Sequence, residues 1–192
     1  MATISIIVGS TRTGRFADKP ARWIFDHLAA RPGVEPNLLD LRDFALPFFD
    51  EKIPPGMPGR APYEHEVVRR WTNEIRRSDG FIFVTAEYNY GPAAVLKNAI
   101  DWVYPEWNRK AAAFVGYGAA SGARAIQQLR EIAVELQLAP VRNAVLLPPA
   151  AIYAHMQGHD ATPILAESNA AAIKMIDDLL WWVEALKGAR AA

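Results

Sequence analysis

An α/β fold is predicted: a five-stranded parallel sheet in the order 2-1-3-4-5, covered by helices on both faces, with residues 1–192 forming one domain. Three observations predict it. Short apolar runs recur along the chain without regular polar alternation, as strands buried on both faces require. Stretches with helical spacing separate them, so the connections are right-handed crossovers. Three of the strands run directly into loops of glycine, hydroxyl and aromatic residues. Strands one, three and four are neighbours at the switch point of that order, where open α/β sheets bind ligands.

Thr3–Val8 (TISIIV) is the first strand, and the helix after it turns Phe16, Trp23, Ile24 and Leu28 inward. Val34–Leu39 is the second strand. Asp40–Phe49 then leads into a segment with Pro47, Pro54, Pro55, Gly56, Pro58, Gly59 and Pro62. Proline fixes φ and removes donors, so ordered loop is expected there. Tyr63–Arg77 reads as a helix with Val67, Val68, Trp71 and Ile75 inward, and Arg69, Arg70, Arg76 and Arg77 on a solvated face. Phe81–Val84 is the third strand.

Gly91 is the expected N-cap of the next helix and Pro92 its first residue, with Val95, Ala99, Trp102 and Val103 on one face. Trp107, in the turn beyond, either lies exposed at an interface or caps the core. Ala111–Tyr117 is the fourth strand, Ala123–Leu136 its helix, and Pro140–Leu147 holds the fifth strand. Residues 150–160 are expected as loop, with His155 and His159 as loop histidines rather than a metal-ligating pair. A final helix is expected from Thr162, with Pro163 at its first position and Gly188 as its stop.

The loop Gly9–Arg15 joins a strand to a helix N-terminus, where free N–H groups and the helix dipole favour an anion. Ser10, Thr11 and Thr13 add hydroxyls, and Arg12 and Arg15 add charge. The Walker ending and the G-x-G-x-x-G spacing are both absent, so a monophosphate is the better fit. A plain βα turn with exposed arginines is the alternative. The turn Thr85–Gly91 offers backbone groups to the edge of a planar ring, and Tyr88 and Tyr90 offer faces to stack on it. Taken alone, that turn is equally well explained by packing tyrosines. Gly116–Gly122 lets a backbone approach a flat ligand. Convergence of the three loops on one crevice favours a ligand with a phosphate at one end and a ring at the other.

Composition excludes other classes. Lysine plus arginine (21) balance aspartate plus glutamate (21), which argues against a nucleic-acid partner and against a strongly acidic electron carrier. The absence of cysteine removes thiolate chemistry and disulfides. No apolar run approaches the ~18 residues of a membrane span, and no signal segment opens the chain, so a cytoplasmic protein without membrane contacts is expected.

Gly9-Ser10-Thr11-Arg12-x-Gly14-Arg15, and Glu87-Tyr88-Asn89-x-Gly91 followed by Leu96-Lys97-Asn98-Ala99-Ile100-Asp101-Trp102, resemble the NAD(P)H-dependent FMN reductase family. That family is flavodoxin-like, a three-layer sandwich, and includes quinone, azo-dye and chromate reductases. Ala86 departs from it, where the family has proline. The resemblance implies non-covalent FMN, with NADPH or NADH as co-substrate. It implies cofactor contacts at Ser10, Arg12, Arg15, Phe16, Ala17, Glu87, Tyr88, Asn89, Tyr90, Gly91, Gly116, Gly118 and Ser121. It also implies hydride transfer to the flavin and ping-pong delivery of electrons to a small-molecule acceptor, with no catalytic side chain and no metal. A homodimer or homotetramer is implied as well.

Overall fold

A computed structural model of the protein describes residues 1–58 and 63–191. Pro62 and Gly59 of the proline-rich segment lie outside the described residues. The chain forms β1 (Ala2–Val8), α1 (Asp18–Ala29), β2 (Val34–Asp40), α2 (Glu66–Arg77), β3 (Gly80–Tyr88), β4 (Gly91–Pro92) and α3 (Ala94–Asp101). It continues with β5 (Ala111–Tyr117), α4 (Ala123–Glu135), β6 (Ala139–Pro140), β7 (Val145–Leu146), α5 (Pro149–Met156), α6 (Thr162–Ala166) and α7 (Asn169–Ala191).

The sheet runs β2-β1-β3-β5-β6, with β7 also pairing β5 and all of these pairings parallel. This is the expected doubly wound, flavodoxin-like order. Side chains alternate along each strand and so build a core on each face. Ile4, Ile6, Val8, Ile82, Val84, Ala113 and Val115 face α1 and α7. Ile7, Phe81, Phe83, Ala112 and Phe114 face α2, α3 and α4. Trp107 caps this second core: it is fully buried, 4.7 Å from the Phe81 ring and 6.3 Å from Trp71.

Several boundaries differ from expectation, each for a local reason. The fifth strand is two short pairings, β6 and β7, because Pro140 has no N–H for the ladder and the Asn143 side chain turns to Asp178. Residues 149–156 form α5 rather than loop, started by Pro149, so His155 is helical and His159 lies beyond the helix end. Thr162 and Pro163 open only the short α6. The long helix α7 then runs through Gly188. Beside that glycine, Lys187 bonds the Met1 carbonyl and Asp79, and Arg190 bonds Asp79 and the Arg109 carbonyl. Those contacts outweigh the ~1 kcal/mol cost of a helical glycine.

The proline-rich segment has no helix or strand between residues 41 and 58. The Asn98 side chain accepts from the Phe49 N–H at 2.9 Å and donates to the Pro47 carbonyl at 2.8 Å. The Trp102 indole donates to the same carbonyl at 2.8 Å. Asn98 and Trp102 of the Leu-Lys-Asn-Ala-Ile-Asp-Trp motif thus secure a loop.

Candidate functional site: a cleft at the carboxyl edge of the sheet

The carboxyl ends of β1, β3 and β5 are adjacent, so the loops after them meet. In the first, Ser10 is buried and its hydroxyl lies 2.9 Å from the Tyr88 hydroxyl, joining the phosphate-type loop to the β3 turn. Thr11, Arg12 and Thr13 are exposed. Arg15 is turned inward, its side chain only 2% exposed. It bonds Asp40 with both amino nitrogens, and also Asp18 and the Ser10 carbonyl. The hydrogen bond to Asp40 holds the guanidinium charged, pushing its pKa up against burial. Arg15 therefore braces the loop from below. Arg42 grips it from outside, donating to the Arg12 carbonyl at 2.7 Å.

The second loop is a hairpin, and this corrects the expected helix start. Gly91-Pro92 pair antiparallel with Glu87-Tyr88 as β4, and α3 begins at Ala94. Asn89 and Tyr90 close the hairpin with φ of 48° and 77°. Positive φ at both central residues is the two-residue turn that matches strand twist. The Glu87 carboxylate, 3% exposed, is paired with the Arg124 guanidinium and accepts from the Arg124 N–H at 3.1 Å. The same guanidinium lies 4.6 Å from the Tyr90 ring, and Gln128 donates to the Tyr90 carbonyl at 2.9 Å. The hairpin is thus fastened to α4 at both ends of its turn.

In the third loop, a Cβ on Gly118 would lie 2.9 Å from the Glu87 Cβ, so glycine is what lets the two loops approach. Gly122 has φ of 76°, and a Cβ there would lie 2.5 Å from the Tyr117 N. Gly122→Ala is expected to destabilise the fold by at least ~2 kcal/mol, from left-handed backbone strain plus that clash. A thermal melt checks it.

A cleft of about 240 Å³ lies between these loops, walled by Arg12, Phe16, Ala86, Glu87, Tyr88, Tyr117, Gly118 and Ala119, and by Pro149, Ile152 and Tyr153 of α5. Of the residues singled out from the sequence, Arg12, Phe16, Glu87, Tyr88 and Gly118 meet here. Arg15, Ala17 and Gly116 are buried beside it, and Ser10 touches it through Tyr88. Asn89, Tyr90, Gly91 and Ser121 are not among its walls. Tyr90 is nonetheless exposed at the hairpin tip.

Sequence reasoning missed Tyr117, which closes β5. Its ring packs edge-on against Phe16 at 5.2 Å and its hydroxyl is buried beside Ser10. Burial pushes the phenol well above its ordinary 10, Tyr88 adds to the rise and Ser10 tempers it, so the group stays a donor. No sequence signal separates this tyrosine from a packing residue; the topology does.

NADPH-dependent FMN reductases match residues 2–151 of this chain. The chain belongs to that family. An NAD(P)H-dependent FMN reductase of Nectria sp is 40% identical over 79% of this chain and 77% of its own length. A quinone reductase of Pseudomonas putida is 32% identical over 71% of this chain and 72% of its own. Among solved structures, the flavoenzyme NAD(P)H:(acceptor) oxidoreductase FerB from Paracoccus denitrificans aligns with TM-score 0.68 and 25% identity, covering 96% of this chain and 98% of FerB. The protein is accordingly an oxidoreductase of the FMN and NAD(P)H type. Among the described residues, no helix is long and apolar enough to cross a membrane.

Proposed function

We propose that the protein passes electrons from NAD(P)H, through FMN held in the three-loop cleft, to a quinone-like or similar small acceptor in ping-pong order. The observation that carries this reading is the meeting of the loops after β1, β3 and β5 in one cleft that also holds the charge of Arg12. The residues present fit FMN. The loop before α1, exposed from Thr11 to Gly14 and carrying Arg12, suits a dianionic phosphate. Gly118 admits a backbone close to a flat ring, and Tyr88 offers one face. Phe16 and Ile152 make that region water-poor. Tyr117, packed edge-on against Phe16, adds an aromatic wall.

Bound FMN supplies the hydride-accepting and electron-donating chemistry. The side chains therefore bind, orient and exclude water, and no general base is required of them. Glu87 in particular is committed to Arg124. Backbone N–H groups around Gly118 would stabilise developing negative charge on a ring held there.

In this reading Ser10 acts through Tyr88, and Arg15 acts by shaping the loop rather than by touching phosphate. NADPH is the preferred co-substrate on the family's description. Exposed Phe48, Ile53 and Met57 of the proline-rich segment suit burial in a homodimer or homotetramer. Light scattering on the purified protein tests that. A cytoplasmic location fits a cysteine-free chain.

The direct test is the visible spectrum of the protein after incubation with FMN and gel filtration, followed by NADPH without oxygen. Retained flavin bands that bleach, and that recover on adding a quinone, are expected. A colourless protein overturns the reading. Arg12→Ala is expected to weaken FMN binding about tenfold to a hundredfold, because a charge-assisted hydrogen bond is worth roughly 1.5–3 kcal/mol. An unchanged FMN titration would remove Arg12 from the phosphate site.

A further inference from the structure

The family match ends at residue 151, inside α5. The cleft does not end there. Ile152 and Tyr153, just beyond the matched region, form its wall together with Pro149. Tyr153 is 57% exposed, so an aromatic ring stands at the edge of the cleft with much of its surface in solvent.

The helix that carries it is anchored. Ala151 is fully buried. The His155 ring lies 5.6 Å from Phe16, and its Nε2 approaches the Gly14 carbonyl at 3.4 Å. Phe16 in turn packs edge-on against Tyr117. The phosphate-type loop, the end of β5 and α5 therefore meet around one phenylalanine. That fixes the helix carrying Tyr153 relative to Arg12 and Tyr117.

We propose that Tyr153 covers FMN in the cleft and slows its release, making α5 the element that retains the cofactor. This rests on the FMN reading above. The contribution is the ring's: it is flat, has few rotamers and excludes water from the ligand beneath it. Retention by such a wall acts on departure more than on arrival, so the effect belongs in the dissociation rate.

The test uses the full chain loaded with FMN and follows the return of free-flavin fluorescence after dilution. Tyr153→Ala is expected to raise the dissociation rate about tenfold or more, and Tyr153→Phe to stay within about twofold of wild type, by the usual effect of losing aromatic stacking on a ring. Met156→Ala, exposed on the same helix but outside the cleft, is expected to leave the rate unchanged. A wild-type rate in Tyr153→Ala overturns the proposal while leaving the FMN reading intact. Equal acceleration by Tyr153→Phe and Tyr153→Ala also overturns it, since the ring would then not be what retains the ligand. If wild-type protein binds no FMN, both readings fall together. Thermal melts of the variants accompany the rates. An exposed side chain is expected to leave them unchanged, so flavin lost through destabilisation of the fold is visible directly.

Discussion

Replacing Asp40 with alanine is expected to destabilise the protein by about 3 kcal/mol and to weaken FMN binding with it. Asp40 ends β2, and its carboxylate meets both amino nitrogens of Arg15, whose side chain is 2% exposed. Without Asp40, a buried guanidinium keeps only Asp18, whose side chain is 53% exposed, and the Ser10 carbonyl. The Arg15 Nε is already unpaired, so the site has no spare acceptor. The Arg42 N–H also loses its 2.9 Å bond to Asp40, and Arg42 is the outer grip on the same loop. One substitution thus weakens both braces of the loop: Arg15 loses its main partner, and Arg42 loses the backbone bond that positions it. Urea unfolding reads the first effect and FMN titration the second. An Asp40→Ala variant as stable as wild type would mean that Arg15 finds water instead.

The same carboxylate sets an acid limit. Burial raises the Asp40 pKa, but hydrogen bonds from Arg15 and from the Arg42 N–H outweigh it and hold the group below its ordinary 3.8. A carboxyl depressed by folding stabilises the native state above its unfolded value. That contribution is lost as pH falls through the folded one. Asp40→Asn is therefore expected to flatten the loss of stability below about pH 4 while lowering the plateau above it. Melting temperatures across pH 2–7 check this.

The sheet was legible because its signal is local. Runs such as Thr3–Val8 and Ala111–Tyr117 are buried on both faces, and the resulting apolar block needs no tertiary information to read. Strand order followed from the crossover rule and the clustering of unusual loops. What failed were element ends decided by distant partners. Gly91-Pro92 has the composition of a helix start, yet Arg124 and Gln128, on another helix, hold the turn before it as a hairpin. Gly188 has the composition of a stop, yet Asp79 and Arg109 hold the helix through it. The candidate site divides in the same way. Arg12 and Tyr88 were visible as exposed chemistry on loops. Arg15 has the same residue type and neighbourhood as Arg12, and only the position of Asp40, 25 residues on, separates a brace from a free charge. Tyr117, Ile152 and Tyr153 carry no motif. They enter the cleft because β5 and α5 end beside it.

Arg124→Ala is expected to lower stability by about 2 kcal/mol and FMN affinity by at least about tenfold, with little change in the rate at which bound flavin is reduced. The stability figure sits below that of a fully buried pair because Arg124 is 40% exposed, although Glu87 is only 3% exposed. Removing the guanidinium leaves the Glu87 carboxylate with the Arg124 N–H as its remaining partner. It also removes the cation from the Tyr90 ring, 4.6 Å away. Asn89 and Tyr90 hold positive φ, which costs each roughly 1–2 kcal/mol and persists only while the surroundings enforce it. The hairpin that holds Glu87 and Tyr88 in the cleft wall would then relax, so on the FMN reading proposed above affinity falls through geometry rather than through a lost ligand contact. Arg124→Lys keeps the charge but not the planar fork, and is expected to fall between wild type and alanine. Glu87→Gln separates positioning from proton transfer. A positioning role predicts weaker flavin binding with an unchanged pH profile of NAD(P)H oxidation at saturating FMN. A shifted or flattened profile would mean that Glu87 handles a proton, and that its pairing with Arg124 is broken during turnover.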